Sequence, residues 1–143
     1  MTRLARKHGG DPRPPRVARR CLRSLGAIAR ENAVEGCVRE TFGAMVAQVQ
    51  AERAADPAIK RAMKRIAIDE ASHAELSWDV ASFCDDRLDA HARREVREAV
   101  AEALASLRAE IEHEPPEDVR VALGLPTREE SRGMLGALER ELS

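Results

Sequence analysis

Residues 56–84, DPAIKRAMKRIAIDEASHAELSWDVASFC, predict one long amphipathic helix, and the rest of the fold can be built around it. Asp56 followed by Pro57 is typical of a helix N-cap and a first helical residue. At about 100° per residue, Glu70 lies in the middle of the apolar face, and His73 lies one turn along the same face. A lone carboxylate is costly to bury, so this carboxylate and imidazole indicate a bound cation, most economically a metal ion.

Apolar residues at helical spacing predict another long helix on each side of this one. The earlier helix should span about residues 17–54, with a weak point near Gly26. The later helix should begin near Asp89 and be stopped by Pro115 and Pro116, since proline cannot continue a helix.

The C-terminal residues predict a short final helix. A turn at residues 119–123 leads to Thr127 and Glu130, which have the spacing of a capping box, and the helix should end near Leu142. The predicted fold is therefore all-α: a hairpin of two long helices, a third helix and a short C-terminal helix, within a domain spanning residues 17–143.

Composition agrees with an all-helical single domain. The chain has 143 residues, only 2% of them aromatic, and a formal net charge of −1. The charge is uneven, because residues 1–23 carry +7 and the remainder carries −8. Residues 1–16 combine basic side chains with Gly and Pro, so we expect a flexible basic arm. Nucleic-acid binding is disfavoured because the basic run is short and contains no aromatic residues.

Apolar runs and cysteines bear on the compartment. No apolar run approaches the roughly 20 residues of a membrane-spanning helix. Cys21, Cys37 and Cys84 are an odd number of scattered thiols, which favours a reducing compartment over a disulfide scaffold. We therefore expect a cytoplasmic protein.

The first long helix should supply a second carboxylate to the Glu70–His73 pair. Its three candidates are Glu31, Glu35 and Glu40. On a regular helix, Glu31 and Glu35 face the core and Glu40 faces away. Along the hairpin axis, however, Glu40 lies level with Glu70, and Glu35 lies about a turn and a half beyond. If the direction of the side chain counts for more than its position along the axis, Glu35 is the preferred ligand, Glu40 the second and Glu31 the third. Alternatively, all three are surface acids.

Two segments resemble the C-terminal half of a bacterial ferritin-like domain of the di-iron carboxylate superfamily. They are EGCVRET at residues 35–41 and DEASHAELSW at residues 69–78, within a similarity that spans roughly residues 24–142. The resemblance implies a four-helix bundle that binds two metal ions, commonly iron, with manganese or zinc as alternatives.

By the same resemblance, Glu70 and His73 match the Glu-x-x-His ligand unit, and either Glu35 or Glu40 matches the partner Glu. Asp69 matches the residue that orients a metal-bound imidazole by accepting its hydrogen bond. The implied chemistry is Fe(II) oxidation or oxygen activation, as in a ferroxidase-type oxidoreductase.

The chain departs from the family because it contains one convincing copy of a ligand set that a complete domain contains twice. Glu110 and His113 repeat the spacing, but they lie off the apolar stripe at a helix end and are expected to be solvated. One copy offers too few ligands for two metals. We therefore expect a homodimer or higher homo-oligomer that completes the site across a two-fold axis.

Two alternatives remain open. In one, the chain is a truncated relic whose metal site does not function. In the other, it is a non-catalytic helical interaction module in which Glu70 and His73 pair with Arg30 or Arg39.

Overall fold

A computed structural model describes residues 2–14, 16–17 and 22–142 of the chain, and all regular structure in these residues is helical. The all-α prediction is confirmed. One stretch is a π-helix, in which each N–H bonds five residues back instead of four, and we call it the π segment. The elements are α1 Thr2–Lys7, α2 Leu25–Glu31, the π segment Asn32–Glu40, α3 Thr41–Arg53, α4 Pro57–Asp85, α5 Ala90–Glu110, α6 Glu117–Leu123 and α7 Arg128–Glu141.

The long hairpin is formed as its sequence signals indicate. α2, the π segment and α3 follow one another without leaving helical backbone angles, and α4 runs back antiparallel to them without a break. Asp56 caps α4, and its Oδ1 accepts hydrogen bonds from the backbone N–H of Ala58 at 2.6 Å and of Ile59 at 3.4 Å. Asp89 and Thr127 cap α5 and α7 in the same way.

Some boundaries differ from the prediction. The first long helix begins at Leu25 rather than near Val17, because Ser24 caps it by accepting a hydrogen bond from the backbone N–H of Ala27. Residues 18–21 of the predicted helix lie outside the described residues. A short helix, α1, lies within the N-terminal arm, whose flexibility stays a prediction. α6 replaces the predicted turn at residues 119–123.

α5 and α7 cover one side of the hairpin and form the main core with it. This core contains the buried residues Val38, Phe42, Ala103, Leu107, Leu135 and Leu138. α3 and α4 pack directly on each other through a second cluster of small side chains, Ala47, Ala51 and Ala67. Small residues let the two backbones approach closely, which holds the two long helices in a fixed register.

The end of α6 is held against the hairpin turn. Gly124 ends this helix with φ +66°, the left-handed conformation that favours glycine. A Cβ added there would lie 2.3 Å from the backbone N of Ala54, so only glycine fits this contact.

The other side of the hairpin carries a shallow groove of about 260 Å³ whose walls come from α2, the π segment, α4 and the residues just before α2. No helix of the described chain covers this groove. Helical geometry places the neighbouring α4 residues His73, Leu76, Val80 and Phe83 on the flank of α4 roughly opposite Trp78, which packs into the main core. We call this surface the open side; it carries Ile28, Glu35, Glu40, His73, Leu76, Val80 and Phe83.

Candidate functional site

Glu70 and His73 approach each other on α4. Oε2 of Glu70 lies 3.7 Å from Nδ1 of His73, and their side chains are 34% and 58% exposed. Sequence position alone placed Glu70 in the middle of a buried face, and the structure corrects this, because about a third of the side chain reaches solvent. The cost of keeping this carboxylate charged is correspondingly smaller.

The π segment changes the direction of the acidic residues. The expectation that Glu40 faces away assumed a regular α-helix, and i→i+5 bonding removes that assumption because it takes more residues per turn. In the structure, Oε2 of Glu40 lies 3.3 Å from Oγ of Ser77, so Glu40 faces α4 one turn beyond His73. Glu35 lines the same groove but is exposed, and Glu31 forms an ion pair with Arg23.

The π segment and α4 meet at Ser77, a contact that the sequence analysis missed. A Cβ added to Gly36 would lie 2.2 Å from Oγ and 2.5 Å from Cβ of Ser77, so a glycine is needed for this approach. The backbone carbonyl of Ser77 accepts a hydrogen bond from Nδ2 of Asn32 at 2.8 Å and from Sγ of Cys37 at 3.5 Å. A glycine in the middle of a long predicted helix is the only sequence signal that could have indicated this contact.

The Ser77 hydroxyl has two acceptors and one proton. Its Oγ lies 2.8 Å from the backbone O of His73 and 3.3 Å from the Glu40 carboxylate. Helical serines commonly donate to the carbonyl four residues earlier, and the shorter distance favours that bond here. Glu40 therefore keeps a carboxylate oxygen that a cation could engage, next to the turn of α4 that carries His73.

The buried thiol of Cys37 is kept protonated. Burial, followed by the nearby Glu40 charge, raises the pKa of Cys37 from 9.0 to about 11. At neutral pH the metal-free thiol is a weak hydrogen-bond donor, and its Sγ donates to the backbone carbonyl of Ser77. Because Cys37 is buried, the donors on this face that reach solvent are carboxylate oxygens and one imidazole.

The structure also gives the surroundings of Asp69 and Glu110, two other residues singled out from the sequence. Asp69 is exposed, and within the described part of the chain no hydrogen bond joins it to an imidazole. Glu110, which repeats the Glu-x-x-His spacing with His113, instead binds Arg39 through two contacts of 2.9 and 3.1 Å. This ion pair holds the pKa of Glu110 below its usual value and commits Arg39, so Arg39 is not the partner of Glu70.

A single chain does not assemble a closed metal-ligand set. In residues 2–14, 16–17 and 22–142, no three His, Cys, Asp or Glu side chains come close enough together to hold a metal ion. The chain contributes one adjacent pair, Glu70 and His73, and Glu40 contacts the facing helix at Ser77, one turn beyond His73. This arrangement could form part of a metal site, with the remaining ligands coming from elsewhere.

None of the helices in the described residues is both long and apolar enough to cross a membrane. No protein-family model, curated protein or solved structure matches the chain.

Proposed function

We propose that the chain is a ferritin-like metal-binding protein whose site is completed when two copies associate. The observation that carries this proposal is the Glu70–His73 pair, at 3.7 Å, on a hairpin with one side that no described helix covers. Glu40 faces α4 from the π segment at Ser77, one turn beyond His73. Each chain would contribute these three residues, with Glu35 as the alternative to Glu40, and each assembled site would hold two metal ions.

The donor chemistry fits iron. Carboxylate oxygens with one imidazole suit iron and manganese, and zinc also accepts such donors. When bound, iron would supply the electron-transfer chemistry of Fe(II) oxidation or oxygen activation, so the protein would act as a ferroxidase-type oxidoreductase. The protein's own part is to hold the carboxylates and His73 on the same side of the hairpin, with Glu40 beside Ser77 of the facing helix.

The second copy is needed because the ligands of one chain are too few. Ile28, Leu76 and Phe83 are exposed apolar side chains on the open side, and a second copy would cover them. Bringing two sets of carboxylates together is unfavourable unless a cation lies between them. We therefore infer that metal and dimerisation are coupled, since a metal that binds only the dimer favours the dimer by mass action.

The proposal places the protein in the cytoplasm. Cys37 and Cys84 are both buried, and neither forms a disulfide. Free thiols of this kind are typical of proteins kept in a reducing compartment.

Anaerobic titration of metal-free protein with Fe(II) tests the proposal, with iron content and light-scattering mass measured on the same samples. We expect about one iron per chain and a shift to dimer, both lost in Glu70→Gln and in His73→Ala. Separate Glu40→Gln and Glu35→Gln variants identify the third ligand, and loss is expected for Glu40→Gln. The matched control is Glu110→Gln with His113→Ala, which has the same spacing and should change neither quantity.

Three outcomes would contradict the proposal. A monomer that binds two irons tightly would exclude the interface site. A monomer that binds no iron would favour the truncated relic. A dimer whose iron content is unaffected by Glu70→Gln would favour the non-catalytic interaction module.

A further inference from the structure

A second candidate site lies at the other end of α4, away from the hairpin groove. α1 packs beside the first turns of α4, and the two helices enclose a cleft of about 490 Å³ that we call the basic cleft. Four of its lining residues are cationic and three are apolar. They are Arg3, Leu4 and Lys7 from α1, and Ala58, Arg61, Ala62 and Arg65 from α4.

The charges of the basic cleft are poorly compensated. None of its lining residues is acidic, and Lys7 is paired with Asp56, whose Oδ2 lies 3.5 Å from Nζ. Among the residues described by the structure, no carboxylate lies within ion-pair distance of Arg3, Arg61 or Arg65. Arg61 and Arg65 are also one turn apart on the same helix, a like-charge spacing that is unfavourable by itself.

An anion with several charges would relieve this repulsion. Arginine side chains bind phosphate oxygens through two parallel N–H donors, and two helices here present cations to one space. The free amides at the start of α4 cannot serve instead, because Asp56 already accepts from Ala58 and Ile59. The cationic side chains must therefore supply the recognition.

The lining also indicates which kind of anion fits. The cleft contains no aromatic residue, so it has no surface on which a nucleobase could stack. We propose that the basic cleft binds a small polyphosphate anion, recognised through its phosphate groups, at a site distinct from the proposed metal site. A single-stranded nucleic acid is the competing ligand that the test must distinguish.

Calorimetric titration of the metal-free protein with sodium triphosphate tests this proposal. We expect one binding event per chain that weakens as the NaCl concentration rises from about 50 to 300 mM. Arg61→Ala with Arg65→Ala should weaken binding at least about tenfold, and so should Arg3→Ala with Lys7→Ala. Triphosphate should also raise the melting temperature of the native protein, but not that of the Arg61/Arg65 variant.

The matched control is Lys60→Ala with Lys64→Ala, which removes the same charge at the same spacing on the same helix, outside the cleft lining. It should change affinity by less than about twofold. Equal losses in the lysine and arginine variants would show general charge attraction and overturn the site. No binding at about 50 mM NaCl would overturn it too, and so would tighter binding of a single-stranded oligonucleotide than of triphosphate.

Discussion

The two sides of the long hairpin use the same two helices but are built differently. On the side covered by α5 and α7, residues such as Val38, Leu107 and Leu138 are buried in one apolar core. On the open side, carboxylates and His73 share the surface with exposed apolar residues such as Leu76. Folding of one chain explains the covered side, whereas the open side carries groups that stability alone does not require.

The largest expected effect comes from removing buried volume on the covered side. Leu107 is 5% exposed, and Leu107→Ala should destabilise the metal-free protein by about 3 kcal/mol through lost apolar contacts and a residual cavity. Leu76, 61% exposed on the open side, is the matched control, and Leu76→Ala should change stability by less than about 0.5 kcal/mol. Urea denaturation of dilute protein measures both. Equal losses of stability in Leu107→Ala and Leu76→Ala would mean that the open side is already covered.

The second prediction concerns pH and the contact between the π segment and α4. Because the pKa of Cys37 rises from 9.0 to about 11 on folding, the unfolded chain loses this proton first as pH increases. The stability associated with Cys37 is therefore fully present below about pH 9 and is lost between about pH 9 and 11, by on the order of 2 kcal/mol.

The measurement is the free energy of unfolding against pH for the native protein and for Cys37→Ala, which should lack this component of the alkaline decline. Glu40→Gln should narrow the pH range over which stability is lost, because the Glu40 charge is the second cause of the raised Cys37 pKa. Parallel curves for the native protein and Cys37→Ala would show that the thiol is not buried against Glu40 as described.

The third prediction tests the close approach at Gly36. Gly36→Ala should destabilise the protein by about 2 kcal/mol, because its Cβ would overlap Oγ and Cβ of Ser77 and move α4. Gly43→Ala is the matched control on the same long helix: its Cβ would have no neighbour within 4 Å, and alanine should stabilise the helix by roughly 0.5–1 kcal/mol. A Ser77→Gly background should reduce the cost of Gly36→Ala. An unchanged cost there would refute the proposed clash.

Local signals in the sequence predicted most of the covered side. The caps at Asp56, Asp89 and Thr127 are set by residues within one turn of each helix start, so they can be recognised without tertiary information. Leu107, which enters the core, is one of the apolar residues at helical spacing that predicted the third helix. The early start assigned to the first helix was wrong, because the apolar pattern was extended past the Ser24 cap.

The candidate metal site could be predicted from the sequence only in part. The spacing of Glu70 and His73 was sufficient to bring them together, since both lie on one regular helix. The direction of Glu40 was not predictable in this way, because the π segment replaces the regular period between Asn32 and Glu40. That irregular stretch coincides with the close contact of Gly36 with Ser77, a contact between residues distant in sequence that helical arithmetic on one segment does not contain.

The smallest expected effect tests directly whether Glu70 is needed for stability or only for metal binding. Glu70→Ala, which removes the carboxylate next to His73 of the open side, should change the stability of the metal-free protein by less than about 0.5 kcal/mol, or raise it slightly. The contact of Glu70 with His73 is exposed to solvent, and exposed pairs of this kind contribute little to stability.

The matched variant is Glu130→Ala on the covered side, where the carboxylate accepts a hydrogen bond from the backbone N–H of Thr127 and binds Arg53. Loss of this capping box should cost about 1 kcal/mol. Thermal and urea unfolding of both variants, with metal removed, gives the comparison. A carboxylate that can be removed without loss of stability, yet is required for iron uptake, is present for binding; a cost for Glu70→Ala equal to that of Glu130→Ala would instead assign Glu70 a structural role.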